Sequence, residues 1–398
     1  MVSFDPKQIR KGLERIAMRI AILNMTGGGL SGGYRKYLIN ILPRMAGIPE
    51  VEAILCVSPE TLHVHDWFGT LTKVEFAGCR PFRPWRECDP ILHRRLEVFA
   101  PDVIFIPMER HVWFGDVPVV NMLRNMLPLI SIAGNLVSER IRNRIQRFVA
   151  RKAVERSDRV IAVSRYVKEY ICNHWSVPFG KVGLVYHGID SDDSLKCDRP
   201  QSVPGDWDDR FLFTAGSIDP YRGLEDLLLA SKELVMRGEE VKVVVAGNAR
   251  PAMSGYREKL GALAAELGVA ANIRWVGYLE KEEMSWCYRN CRAFVMTSRV
   301  EACPNIALEA MAHGSISICA NNDPLPEFFS DSAIYYAPSD GRSLAASIRI
   351  ATGLDSGARE RYSSVARDRA VQFTWDRTTR RTIEELKSAI VEKRLQHI

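Results

Sequence analysis

The chain is poor in the features that would fix its chemistry quickly. Its nine cysteines are an odd, scattered set with no C-x-x-C, the closest pair being Cys287 and Cys291, so neither a disulfide framework nor a zinc site is suggested. No apolar run approaches the length of a membrane span, and the N-terminal "KQIRKGLERIAMRIAIL" is broken by charges where a secretory leader needs an apolar block. A cytoplasmic protein with reduced thiols is expected. Interleaved aromatics are missing from the arginine-rich segment Arg140, Arg142, Arg144, Arg147, Arg151 and Lys152, which has only Phe148, so nucleic acid is not an expected partner. No metal is expected either: the D-x-D of Asp190, Ser191 and Asp192 falls in an acidic stretch that reads as a solvated turn.

What is present is an ordinary globular composition, 46% hydrophobic and 26% charged over 398 residues, enough for two separate cores. The formal charge of +6 is modest. Its clustering favours anionic partners, and Lys7, Arg10, Lys11 and Arg15 give the N-terminus a basic face suited to peripheral contact with an anionic membrane.

Apolar runs alternate with helical or irregular segments. "RIAILNM", "VEAILCV", "DVIFIP", "VPVVNML" and "DRVIAVS" read as strands, and after the polar, proline-containing "SDDSLKCDRPQSVPGDWDD" the alternation restarts with "RFLFTAGS", "VKVVVAGN", "IRWVGYL", "AFVMTS" and "ISICAN". This predicts two doubly wound, Rossmann-like α/β domains facing each other across a cleft, divided as 1–198 and 199–380, with a terminal helix at 381–398 returning to the first. Ligands of such sheets sit beyond the carboxyl ends of the strands.

Three motifs lie at such ends. The loop of Gly27, Gly28, Gly29, Gly32 and Gly33 after the first strand satisfies G-x-G-x-x-G, and glycines there let a phosphate approach the backbone and the helix behind it. A dinucleotide would also need an acidic residue at the end of the second strand, which closes instead on Cys56, Val57 and Ser58, with Glu60 only beyond it. "AGSIDPYRGLEDLL" places Arg222 at the mouth of a strand, where a guanidinium can neutralise a diphosphate. "SRVEACPNIALEAMAHG" puts Glu301 ahead of a helix expected to begin near Pro304 or Asn305, and Glu309 inside it. The amides near Cys303 to Ala307 then point at whatever is bound.

The spacing of Glu301 and Glu309 within "EACPNIALEAMAHG" resembles the signature of the retaining GT-B glycosyltransferases of glycosyltransferase family 4. "RVIAVSRYVKEYI", "VYHGID", "AGSIDPYRGLEDLL", "IRWVGYLEKEEM", "LPEFF" and "FTW" follow in the family's order, so the resemblance spans nearly the whole chain. It implies a GT-B fold and transfer of a sugar from a nucleotide diphosphate sugar to a saccharide or lipid-linked acceptor, without metal or other cofactor. Surface polysaccharide or lipopolysaccharide synthesis at the inner membrane face would suit a soluble transferase with a basic N-terminal domain. By resemblance, Glu301 contacts the donor sugar and Glu309 the nucleotide ribose. Gly28, Gly29, Gly216, Ser217, Cys303, Pro304, Asn305 and Ile306 line the donor, the base lodges near Tyr278, and Arg222 neutralises the leaving phosphate. Two departures stand out: Ser217 occupies a position where relatives often carry a second base, and Arg124 and Asn125 fall where many carry a histidine, which makes Arg124 a catalytic candidate.

The carboxylates of retaining hydrolases lie about 5 Å apart on either side of the bond, one of them a nucleophile. Glu301 and Glu309 do not read as such a pair. The family's usual interpretation is a front-face displacement in which the leaving phosphate helps to accept the acceptor proton. A metal-dependent GT-A transferase, a nucleotide-sugar 2-epimerase and a non-catalytic sugar-nucleotide-binding protein of the same fold are the competing readings.

Overall fold

A computed structural model describes residues 17–26, 32–82, 89–130, 137–189, 197–208 and 210–396. These form two compact units. The first gathers the described residues up to Leu129, Ile141–His187 and the chain from Trp375 onward; the second holds those between Ile130 and Arg140 and between Gly188 and Thr374. The units therefore part at 129/130, 140/141, 187/188 and 374/375, whereas the sequence reading divides the chain at 198/199 and 380/381. Part of the stretch read as a linker belongs to the second unit: Trp207 is buried and the Arg199 guanidinium lies 5.3 Å from the Trp286 ring.

The first unit is built on seven strands: β1 Met18–Leu23, β2 Val51–Pro59, β3 Val74–Cys79, β4 Val103–Ile106, β5 Val119–Leu123, β6 Arg159–Ala162 and β7 Val182–Leu184. All are parallel, in the order β3-β2-β1-β4-β5-β6-β7. Burial on both faces explains why the central strands read as unbroken apolar runs. Alternate residues divide the faces: Ala21, Leu23, Leu55, Val57, Ile104 and Ile106 share a cluster with Leu92, Leu96 and Phe99 of the helix Pro90–Phe99. The long helix Trp375–Leu395 packs on the helix Gly32–Ala46 and on β4, β5 and β6. It is also held by ion pairs, Glu385 to Arg159 at 2.6 Å, Lys387 to Glu50 at 3.0 Å and Lys393 to Asp158 at 3.1 Å.

The second unit has six parallel strands: β8 Leu212–Ala215, β9 Val243–Ala246, β10 Ile273–Gly277, β11 Ala293–Met296, β12 Ser317–Ala320 and β13 Ala333–Tyr336. Their order is β10-β9-β8-β11-β12-β13. Each sheet grows outward in both directions from its first strand, so the winding reverses between β1 and β4 in one unit and between β8 and β11 in the other. Helices that follow neighbouring strands at a reversal leave on opposite faces and open a crevice above the strand ends. The folds thus single out two places, one in each unit.

Candidate active site

In the second unit the crevice is built from the segments that follow β8 and β11. Gly216 follows β8 directly, and its φ of +120° suits glycine alone. A Cβ there would stand 2.7 Å from the Arg222 guanidinium, and one on Gly247, at the end of β9, would stand 1.9 Å from the Gly216 carbonyl oxygen. Glycine at these positions lets the two loops and the arginine pack at backbone distance. The Gly247 amide also donates to the Gly277 carbonyl, at 2.6 Å, so the ends of β8, β9 and β10 are joined side by side.

Arg222 closes a single turn, Pro220–Arg222, and the segment after β11 fixes it by backbone and side chain alike. Thr297 Oγ1 donates to its carbonyl at 2.6 Å, and the Arg299 amide donates to the Tyr221 carbonyl at 2.7 Å. The guanidinium gives one nitrogen to Glu301 Oε1 at 2.8 Å and to Ser298 Oγ at 3.2 Å. Its Nε is buried and has no hydrogen-bond acceptor among the described residues. Burial by itself would lower the arginine's pKa, but Tyr221, Glu301 and Asp219 outweigh it and raise the value, so the charge is permanent. Ser217 does not face this group as a bare hydroxyl: its Oγ lies 2.8 Å from the Tyr221 hydroxyl. Asp219, almost fully buried, is held by Arg250 at 2.6 Å.

The helix Asn305–Ala312 begins with Pro304 as its N-cap, one residue outside the helical ladder. The Ala307 and Leu308 amides bond back to the Pro304 carbonyl, at 3.1 and 3.3 Å, and the helix's first amides, at Asn305 and Ile306, precede any intrahelical acceptor. Asn305 Oδ1 is likewise buried with no donor among the described residues. Glu309, on the next turn, accepts from the Tyr288 hydroxyl at 3.0 Å. Burial, then the neighbouring carboxylate, raises the Tyr288 pKa far above that of a free phenol, which keeps it a donor. Tyr278 follows β10 and is 70% exposed.

The sequence pattern puts Arg222, Glu301 and Glu309 after β8 and β11, where the fold has them, but it does not foretell two direct partnerships. Glu301 is tied to Arg222, and Glu309 to Tyr288, a residue that the motif does not include. Both partners come from other segments of the unit, and only the sheet order brings them together.

In the first unit the Arg124 and Glu109 segments, after β5 and β4, border a cavity of about 340 Å³ that also receives Thr26, Tyr34 and Arg110. Arg124 lies over the rings of Tyr34 and Tyr37, at 5.3 and 5.8 Å. Its amide and that of Asn125 donate to Glu109 Oε1, at 2.7 and 2.9 Å, which fixes the turn after β5. Gly28 and Gly29 lie outside the described residues, as do Asp190, Asp192 and the basic N-terminal residues.

Two doubly wound parallel α/β units, each reversing its winding beside its first strand, are the architecture of the GT-B transferases. Residues 31–193 match the model of Glycosyltransferase Family 4 and residues 199–369 that of the Glycosyl transferases group 1. The chain belongs to this family of glycosyltransferases. It is 25% identical to a D-inositol 3-phosphate glycosyltransferase of Nocardioides sp., over 98% of this chain and 93% of that one. An O-antigen chain mannosyltransferase B of Escherichia coli is 28% identical over 43% of this chain and 44% of its own length. Among solved structures, HepE of Anabaena in complex with UDP and glucose superposes with a TM-score of 0.72 at 18% identity, covering 93% of this chain and all of that one. At that identity the likeness concerns the fold.

Proposed function

We propose that the protein transfers a sugar from a nucleoside diphosphate sugar to a hydroxyl of a saccharide or lipid-linked acceptor, with retention at the anomeric carbon. The observation that carries this reading is Arg222 itself. It is a permanently charged, largely buried guanidinium at a topological reversal, steered by Glu301 and with Nε left to donate. As the bond from the anomeric carbon to the diphosphate oxygen breaks, the electron pair and negative charge pass to the diphosphate, where Arg222 and the first amides of the helix Asn305–Ala312 stabilise them. The acceptor oxygen bonds to the anomeric carbon, and its proton passes to the departing phosphate oxygen. Glu309, oriented by Tyr288, accepts from the ribose hydroxyls, Glu301 from those of the sugar, and the base lies near Tyr278. The cavity between Arg110, Arg124 and Tyr34 receives the acceptor.

The names of the relatives support a phosphorylated or saccharide acceptor, and the O-antigen relative supports surface polysaccharide or lipopolysaccharide synthesis. The transfer needs no metal in this reading, because Arg222 and the helix amides supply the positive field. No helix among the described residues is long and apolar enough to cross a membrane.

A thermal-shift screen of nucleoside diphosphates and their sugars identifies the donor, since binding raises stability by mass action. Release of nucleoside diphosphate is then followed with and without acceptor, in EDTA. The expected result is acceptor-dependent release in EDTA and a product whose anomeric configuration matches the donor. Loss of turnover restored by manganese or magnesium would revive Asp190 and Asp192, turnover without acceptor would favour an epimerase, and binding without turnover a non-catalytic protein.

A further inference from the structure

The helix Val137–Arg156 buries Ala150, Ala153 and Val154, and its other side is unusual. Ile141, Ile145 and Phe148 are 55%, 38% and 63% exposed. At i, i+4 and i+7 they form one ridge along the helix. Arg144, Arg147 and Arg151 run beside that ridge. Arg151 and Lys152 share Glu155, at 2.7 and 2.9 Å, but Arg144 and Arg147 have no carboxylate partner among the described residues. No acidic side chain is exposed between Ile141 and Lys152. Near the end of the helix stands a second exposed aromatic, Phe179, with the Lys168 ammonium 4.0 Å from its ring centre. It is connected to the helix through Lys181, whose ammonium bonds the Glu155 carbonyl at 2.9 Å.

An apolar ridge flanked by unpaired guanidinium groups has two needs at once. The ridge is best removed from water, and the cations are best left at a wet, anionic boundary. A bilayer interface meets both: acyl chains accept the ridge to a depth of about 5–10 Å while lipid phosphates accept the arginines. A nucleic-acid groove meets only the second, because Ile141 and Ile145 offer no flat face for a base. We propose that Ile141, Ile145 and Phe148, flanked by Arg144, Arg147 and Arg151, are the face on which the protein lies on an anionic lipid bilayer. The face would bring the enzyme to a membrane-borne acceptor, yet the inference stands apart from the transfer reaction, since vesicle binding is measured without any sugar being moved.

The test is co-sedimentation with vesicles of phosphatidylcholine alone and of phosphatidylcholine with phosphatidylglycerol. Binding is expected to the anionic vesicles only, and to weaken as salt is added. Arg144→Ala with Arg147→Ala should lower the partition coefficient by about 25-fold, some fivefold for each charge near the surface. Phe148→Ser should lower it by about tenfold. All three side chains are exposed, so the melting temperature should not move. In a Phe148→Trp variant the fluorescence of the new indole should shift to the blue on anionic vesicles. Equal binding to both vesicle types, unchanged partition of the variants, or no blue shift would overturn the proposal. So would binding to RNA or an acidic polypeptide with none to vesicles.

Discussion

Removing Arg222 tests both halves of its environment. Arg222 and Glu301 meet at 2.8 Å with side chains only 15% and 12% exposed, so Arg222→Ala leaves a carboxylate desolvated and unpaired. Breaking a buried pair in this way costs about 3–5 kcal/mol. A domain of this size loses about 2–4 °C per kcal/mol, so the second unit should melt about 6–20 °C lower. Turnover should fall separately, by about 10²–10³-fold, because the charge matters most as the diphosphate departs. Donor KM should rise less. The double variant Arg222→Ala/Glu301→Gln separates the two effects: without a buried anion the melting temperature should recover while kcat stays low. Arg222→Lys should restore part of the rate, keeping the charge and losing the fork. Calorimetry and steady-state kinetics on the four proteins decide the matter. If the double variant recovers turnover together with stability, Arg222 is a structural ion and the diphosphate site lies elsewhere.

Three further variants have expected outcomes. Glu309→Ala should weaken nucleotide binding by about 1–3 kcal/mol, and Tyr288→Phe by about 1 kcal/mol, through a less well oriented carboxylate; unchanged affinity of the Glu309 variant by calorimetry would remove its ribose role. Gly247→Ala should destabilise the second unit by at least about 3 kcal/mol, because the new methyl would lie 1.9 Å from the Gly216 carbonyl oxygen at a φ of +117°. A melting temperature within a degree or two of the parent would show that the loops separate easily.

The sheets were legible because buried parallel strands are written as short apolar blocks. "RIAILNM", "VEAILCV" and "DVIFIP" contain β1, β2 and β4, and "RFLFTAGS", "VKVVVAGN" and "AFVMTS" contain β8, β9 and β11. β3 was not legible: it is an edge strand, half-exposed along "VEFAGC", and lacks such a block. β13 is buried, but its "AIYY" is too short to stand out. The candidate site was readable to the level of the segment. Glu301, Glu309 and Arg222 announce themselves by position relative to strands and a helix start. Their partners do not, because Tyr288 and Glu309, like Arg222 and Glu301, meet through strand order, and no local periodicity encodes that. The asparagine and arginine after β5 could be named, whereas their anchoring by Glu109 came only with the fold.

The helix Trp375–Leu395 has a consequence for the order of events during synthesis. The strands of the second sheet all lie between Leu212 and Tyr336, in one continuous stretch of chain. The first unit, in contrast, starts with β1 but is completed only by the helix Trp375–Leu395. Trp375, Leu386 and Ile390 fill its core, and Glu385, Lys387 and Lys393 neutralise Arg159, Glu50 and Asp158. On the ribosome, where domains generally fold as units while the chain emerges, the later-made unit can therefore be finished first. The earlier one waits with its apolar face open until the segment Trp375–Leu395 has emerged, and loss of that helix would fall on the unit whose strands were made first.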